Sequence, residues 1–82
     1  MDMDTKGTKI RINIQINQQH FQVDVEEMTG AELKALGGIP DGNLLFREVH
    51  GPGDDEQIQN DTAVQLHNGD HFYDMPPGNF GL

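Results

Sequence analysis

The sequence predicts a small α+β domain, in which one short helix packs across a mixed sheet of four to five strands. Ile10, Ile12, Ile14 and Ile16 alternate with polar residues, a period that is typical of a half-buried strand. A capped helical segment follows at residues 28–36. Because so short a helix is not stable alone in water, it must be held by packing against the sheet.

The first two strands are predicted at residues 10–16 and 21–25, the second from an alternation carried by Phe21, Val23 and Val25. The polar residues 17–20 between them suit a hairpin connection, although they contain no two-residue Asn-Gly turn. The pattern therefore predicts a hairpin whose apolar side chains share one face.

The helix carries signals at both ends. Thr29 is a good N-cap, and Glu32 stands where its carboxylate completes a capping box. The pair Gly37-Gly38 supplies a left-handed residue that ends the helix, and Pro40 prevents its resumption. The side chains expected to face the sheet are Leu33, Leu36 and Ile39.

A third strand is predicted at residues 43–49, with Leu44 and Phe46 toward the core and Leu45 and Arg47 toward solvent. Residues 51–56 read as a flexible acidic loop.

A small apolar alternation at residues 64–66 and a last strand at residues 70–73, with Phe72 inward, complete the series. The order strand–strand–helix–strand–short strand–strand is that of the β-grasp fold. We expect a flexible N-terminal tail at residues 1–8, the domain at residues 9–75 and a C-terminal tail at residues 76–82.

The composition disfavours several classes of function. The chain has 82 residues, no cysteine and a net charge of −9, and a domain of this size has little room for an enclosed substrate cavity. We therefore expect a protein that is not an enzyme. The charge opposes binding to nucleic acid or an anionic membrane and favours a basic partner surface. Without a signal peptide or an apolar span in these residues, the expectation is a cytoplasmic monomer.

Metal-ligand residue types cluster near the last strand, at His67, Asp70, His71 and Asp74. The Asn68-Gly69 turn divides them, so their side chains are expected to diverge rather than to hold a metal. The pair Asp54-Asp55 is likewise expected to be a hydrated loop and not a general acid and base.

Two stretches resemble known sequences. Gly38-Ile39-Pro40 followed by Leu44-Leu45-Phe46 is similar to the helix exit and third strand of ubiquitin. The second half resembles the bacterial multi-ubiquitin domain family, through Leu44-Leu45-Phe46-Arg47-Glu48-Val49, His67-Asn68-Gly69-Asp70-His71-Phe72-Tyr73 and Pro76-Pro77-Gly78. The resemblance covers residues 9–81 and implies a β-grasp, ubiquitin-like modifier.

The resemblance also implies partners: an adenylating activating enzyme that uses ATP, a conjugating-enzyme homologue, a JAMM-type peptidase and target proteins. The modifier itself needs no cofactor. The family's company suggests a role in defence against phage. Where ubiquitin has Gly-Gly, this sequence has Phe80-Gly81 followed by Leu82.

The tail is the first candidate site. Gly81 lacks a Cβ, so its carboxyl group can pass through a narrow channel, but only after Leu82 has been removed. The residues expected to be recognised beside it are Pro76, Pro77, Gly78, Asn79 and Phe80. Extended, residues 76–82 span about 20 Å at ~3.3 Å per residue, enough to enter a partner's active site.

Leu45 beside Arg47 is the second candidate, as a docking patch at the position that matches the central isoleucine of the ubiquitin recognition surface. The alternative is a singly exposed leucine, which is ordinary. If the modifier links to itself, the acceptor lysines are Lys6, Lys9 and Lys34.

Two other functions stay open. A sulphur carrier shares the fold and would form a thiocarboxylate on Gly81, whereas a modifier would form an isopeptide or ester bond. A non-covalent binding module would use its acidic face and undergo no tail chemistry.

Overall fold

The computed structural model describes residues 10–77. Within that range the elements, in chain order, are β1 (Ile12–Ile16), β2 (Gln19–Val23), β3 (Glu27–Thr29), α1 (Gly30–Gly37), β4 (Leu44–Arg47), β5 (Glu56–Ile58), β6 (Ala63–Gln65) and β7 (Asp70–Met75).

The first hairpin has a tighter turn than its sequence suggests. Asn17 and Gln18 alone connect β1 to β2, with φ angles of 50° and 72°. Two successive left-handed residues form the type I′ turn that suits the twist of a hairpin, and asparagine adopts this conformation more readily than most residues. The residues that we expected to form a polar connection therefore divide between the turn and the first half of β2.

The helix begins and ends as predicted. The Thr29 hydroxyl accepts from the Glu32 amide at 3.1 Å, and the Glu32 carboxylate accepts from the Thr29 amide at 2.9 Å. Gly38 ends the helix in the left-handed conformation with φ 73°. The next amide, that of Ile39, donates to the Lys34 carbonyl at 2.8 Å, so the last turn is closed by the backbone itself.

Two short strands lie where the sequence predicted none. β3 leads directly into the helix and pairs with β6 in a separate two-stranded sheet. β5 pairs with β4 and buries Ile58, an apolar residue that stands between two glutamines in the sequence. Strands of three residues are too short to show a period of two, which is why the sequence did not reveal them.

The main sheet has five strands in the order β2-β1-β7-β4-β5. β1 and β7 are parallel, and the other neighbours are antiparallel. A mixed sheet with this order and one helix across it is the β-grasp fold that the element order predicted.

The core lies between this sheet and the helix. Its buried members are Ile14, Ile16, Leu33, Ile39, Leu45, Ile58, Val64, Leu66 and Phe72. Phe72 and Leu33 are inward as expected, and Leu36 packs against this cluster without being fully buried.

The predicted orientation of β4 is wrong. Leu45 is fully buried, and it pairs with Ile58 of β5. Leu44 and Phe46 are only half-buried and lie on the other face. Three consecutive apolar residues carry no alternation of their own, so neighbouring strands decide which one faces the core.

Replacing Leu45 with alanine is therefore expected to lower the free energy of unfolding by about 2–5 kcal/mol, because the change opens a cavity in a packed core. Urea denaturation at neutral pH measures the effect. Gln57→Ala, an exposed change on β5, is the control and should alter stability by less than about 0.5 kcal/mol. A Leu45→Ala protein as stable as the control would contradict the burial of this side chain.

Candidate functional site

The last strand, β7, has a neighbouring strand on only one side at its end. β1 pairs with β7 only as far as Ile16 opposite Phe72. On the other side, β4 accompanies β7 to the pair of Leu44 with Met75. The last three residues of β7 thus have a strand on one side only, and the backbone groups on the other side need a different partner.

The side chain of Asn17 supplies that partner. Its Oδ1 accepts from the Asp74 amide at 3.3 Å, and its Nδ2 donates to Asp74 Oδ1 at 2.7 Å. The Asn17 amide donates to the Phe72 carbonyl at 2.9 Å. One turn residue therefore extends the hydrogen bonding of β1 along β7 for two further residues.

Asn43 holds the same carboxylate from the other side. Its Nδ2 donates to Asp74 Oδ2 at 2.7 Å, and its own amide donates to the Pro40 carbonyl at 3.0 Å. The two asparagines reach Asp74 from two different connections, the β1–β2 turn and the segment between the helix and β4. We name Asn17, Asn43 and Asp74 the exit clamp.

The clamp favours the ionised carboxylate. The hydrogen bond from Asn43 is the largest cause that lowers the pKa of Asp74 below its ordinary value, with smaller contributions from Asn17 and from the charge of Lys34. Partial burial acts in the opposite direction. Because the folded-state pKa is depressed, the clamp stabilises the fold above the ordinary pKa of aspartate, and this contribution is lost as the pH falls through the folded-state pKa.

Asp74→Asn is expected to lower the free energy of unfolding by about 1 kcal/mol at pH 7, since the amide cannot accept from both asparagines. The difference between wild type and variant should begin to shrink below about pH 4, where the aspartate of the unfolded chain takes up a proton, and should be lost as the pH falls through the lower folded-state pKa. Urea denaturation from pH 7 to pH 3 measures it. Asp54→Asn, in the exposed loop, controls for the loss of one charge. A difference that stays constant over this range would contradict the assigned ionisation.

Beyond the clamp the chain leaves the sheet. Pro76 and Pro77 are exposed and belong to no strand. Proline has no N–H with which to continue the pairing, so the strand ends here. The other predicted tail and terminal site residues, Gly78, Asn79, Phe80, Gly81, Leu82, Lys6 and Lys9, lie outside the described residues.

An apolar patch lies beside this exit, on the sheet face opposite the helix. The Phe46 and Tyr73 rings stack with centroids 5.4 Å apart and planes inclined by 18°. Leu44 and Met75 pair next to them, and Met75 is 43% exposed. We name Leu44, Phe46, Tyr73 and Met75 the outer patch.

Acidic residues border the outer patch. The Tyr73 hydroxyl donates to Asp55, whose carboxylate also accepts from the Val49 amide at 3.0 Å. Accepting from Tyr73 lowers the pKa of Asp55, and the same hydrogen bond raises the pKa of Tyr73. The predicted acidic loop is therefore fastened to the patch by one of its aspartates.

The predicted patch at Leu45 and Arg47 does not exist as a free surface. Leu45 is a core residue, and the Arg47 side chain is only 15% exposed. Its guanidinium binds Glu56 at 2.9 Å, Asp70 at 3.2 Å and the Gln65 carbonyl at 2.7 Å. These contacts join β4 to β5, to β7 and to the β6 strand of the small sheet, so Arg47 ties the two sheets together.

Lys34 is not an exposed acceptor lysine either. It is 4% exposed, and its Nζ donates to the Asp41 carbonyl at 2.9 Å. Asp41 lies in the same connector as Asn43, so this buried cation fixes the segment that carries one arm of the clamp. The alkyl stem of a lysine packs readily against apolar neighbours when its ammonium has a partner.

Two of the four metal-ligand candidates lie close together, with His67 Nδ1 3.7 Å from Asp70 Oδ2, and the other two do not join them. Asp70 binds Arg47 and accepts from the His67 amide at 2.9 Å. His71 lies on the opposite face of β7, 3.6 Å from Glu48, and Asp74 belongs to the clamp. Within residues 10–77 no group of three or more histidine, aspartate or glutamate side chains is placed to hold a metal ion.

The sequence-based interpretation missed the two asparagines and the outer patch. An asparagine in a polar hairpin connection is a signal for a left-handed residue, and this signal could have placed the turn at Asn17. Nothing local linked Asn17 or Asn43 to Asp74, which is 57 and 31 residues away, respectively.

Among residues 10–77 the structure contains no helix with the length and apolar character needed to cross a membrane. Neither the curated proteins nor the solved structures gave a match. A family model described as multiubiquitin matches residues 12–73, about three quarters of the chain. Together with the β-grasp fold, this match shows that the chain is a ubiquitin-like domain of the multiubiquitin family.

Proposed function

We propose that this chain is a protein modifier that is joined to target proteins through the carboxyl group of Gly81. The observation that carries the proposal is the position of the exit. β7, the middle strand of a ubiquitin-like sheet, stops at Met75, and Pro76-Pro77 follow it, exposed and outside any strand, with Gly81 four residues further along the sequence. A segment that leaves from a rigid body can be presented to another protein's active site.

The chemistry has three steps. A JAMM-type peptidase hydrolyses the peptide bond between Gly81 and Leu82, with water supplying the new carboxylate oxygen. An activating enzyme then joins this carboxylate to the α-phosphate of ATP and releases pyrophosphate. In the last step, the transfer, an enzyme nucleophile attacks the acyl carbon and AMP leaves. A nucleophile of the target then attacks the same acyl carbon and the enzyme nucleophile leaves. A conjugating-enzyme homologue carries the acyl group between them.

The domain itself supplies recognition and not catalysis. Its carboxylates near the exit are occupied by hydrogen bonds from Asn17, Asn43 and Tyr73. We place the chain in the cytoplasm as a monomer before conjugation, without nucleic-acid or membrane partners. The net charge of −9 supports partner enzymes with basic surfaces. If the modifier links to itself, Lys6 and Lys9 are the acceptors that we propose, because Lys34 is buried.

Incubating the full chain with the peptidase, the activating enzyme and ATP is expected to remove Leu82 and then form an adenylate on Gly81. Intact-mass and peptide mass spectrometry detect both changes. The matched control is a variant that ends at Gly81, which should be adenylated without the peptidase.

An unchanged Leu82 and an unmodified Gly81 variant would contradict the proposal and favour a non-covalent binding module. A thiocarboxylate on Gly81, in place of a bond to a target amine or hydroxyl group, would assign the chain to the sulphur carriers.

The outer patch is the surface on which we propose that these enzymes dock. Two of its residues, Tyr73 and Met75, lie on β7, the strand that precedes the tail, so an enzyme seated there is within reach of the tail. Its aromatic pair offers a large apolar contact area, and Asp55 and Glu48 lie beside it. The complementary partner surface has an apolar centre with lysine or arginine at its rim.

Phe46→Ala is expected to raise the KM of adenylation about tenfold, equivalent to ~1.4 kcal/mol of lost binding, and to leave kcat nearly unchanged. Pyrophosphate release measured against modifier concentration gives both constants. His20→Ala, an exposed change on the distant edge strand β2, is the control. If Phe46→Ala stays folded by circular dichroism and has the wild-type KM, the patch is not the docking surface.

A further inference from the structure

We propose that the exit clamp is a positioning device for the proposed tail chemistry. In this proposal, which rests on the proposed function, Asp74 sets the direction in which the tail leaves the domain and so determines how well the activating enzyme captures it. Asp74 is a positioning residue and not a catalytic one, since it lies in β7 and not beside the reacting carboxyl group of Gly81.

The position of the clamp at the end of β7 favours a role in orienting the tail over a general role in stabilising the fold. Two neutral amides at 2.7 Å converge on the two oxygens of one carboxylate. They come from opposite sides of β7 and act at the residue before the last one in the strand. β1 has already ended at this point, so Asp74 has no neighbouring strand on this side. The Asn17 side chain supplies the hydrogen bond that such a strand would make.

Lys34 adds a second layer to the device. Its ammonium group is buried, holds the connector through the Asp41 carbonyl, and lowers the pKa of Asp74 through its charge. The clamp and Lys34 therefore join four parts of the fold at the end of β7: the first turn, the helix, the connector and β7 itself.

An ordered attachment point for the tail favours binding of the tail by the activating enzyme. Ordering one backbone residue costs about 1–2 kcal/mol. If the fold has already ordered Asp74 and Met75, the enzyme need not do so, and binding is tighter. Loss of the clamp should then raise KM, while kcat stays the same because the reacting atoms are untouched.

The experiment exchanges the hydrogen-bond donor at position 43 with the acceptor at position 74. Asn43→Asp places two carboxylates against each other, and Asp74→Asn replaces a carboxylate that accepts from both asparagines with an amide whose single oxygen accepts from one of them. In the double variant D74N/N43D, the amide introduced at position 74 can donate to the carboxylate introduced at position 43 and still accept from Asn17. Asp54→Asn controls for the net charge.

Each full-length variant is assayed for pyrophosphate release with the peptidase and the activating enzyme of the preceding experiment. The expected result is a rise in KM of about tenfold for each single variant, from the cost of ordering one residue, with kcat within about twofold of wild type. D74N/N43D should return KM to within about threefold of wild type. If the clamp had a structural role alone, the variants would be less stable in urea, but they would not combine a raised KM with an unchanged kcat.

If N43D does not fold, Asn17→Gly replaces it, because glycine adopts the positive φ of this turn position without strain while it removes the amide. Wild-type adenylation with unchanged KM in the folded single variants would overturn the positioning role alone. A raised KM that D74N/N43D does not lower would also overturn it. Absence of adenylation in the wild type would overturn the proposed function, and the positioning role with it.

Discussion

The structure depends on one mismatch in strand length. β1 and β7 run in parallel at the centre of the sheet, but β1 turns back at Asn17 while β7 continues to Met75. A strand with one free side would normally fray or attract another chain. Here the hydrogen bonds of Asn17 take the place of the missing neighbour, and Asn43 fastens the same residue from the side of the helix connector. This arrangement holds the end of β7 from both sides.

Much of the fold could be predicted because its signals are local. The isoleucine alternation in β1, the capping box at Thr29 and Glu32, and the left-handed Gly38 are each encoded within a few residues. The order of these elements was enough to indicate the β-grasp arrangement, which the structure and the family match confirm. β3 and β5 were missed because three residues are too few to show a strand period, and tertiary pairing defines them instead.

The site was harder to predict because its contacts are non-local. The orientation of Leu45 depends on Ile58 and on the adjacent β7, so three consecutive apolar residues could not reveal it. Arg47 and Lys34 looked like exposed cations, yet each is drawn inward by partners elsewhere in the chain. Asp74 was recognised as a potential ligand, but only the folded chain shows that the side-chain amides of Asn17 and Asn43 donate to its oxygens. The apolar surface beside the tail therefore belongs to Phe46, Tyr73 and their neighbours.

Hydrogen exchange of the Asp74 backbone amide tests the central claim most directly, because this amide has Asn17 and not a strand as its acceptor. Two-dimensional NMR in deuterated buffer gives its rate in the wild type and in Asn17→Gly. We expect the wild-type amide to exchange at least about tenfold more slowly than an unstructured peptide, and the protection to be lost in the variant while that of Phe72 is kept. A wild-type Asp74 amide that exchanges as fast as an unstructured peptide would contradict the account, because it would show that Asn17 does not hold this side of β7.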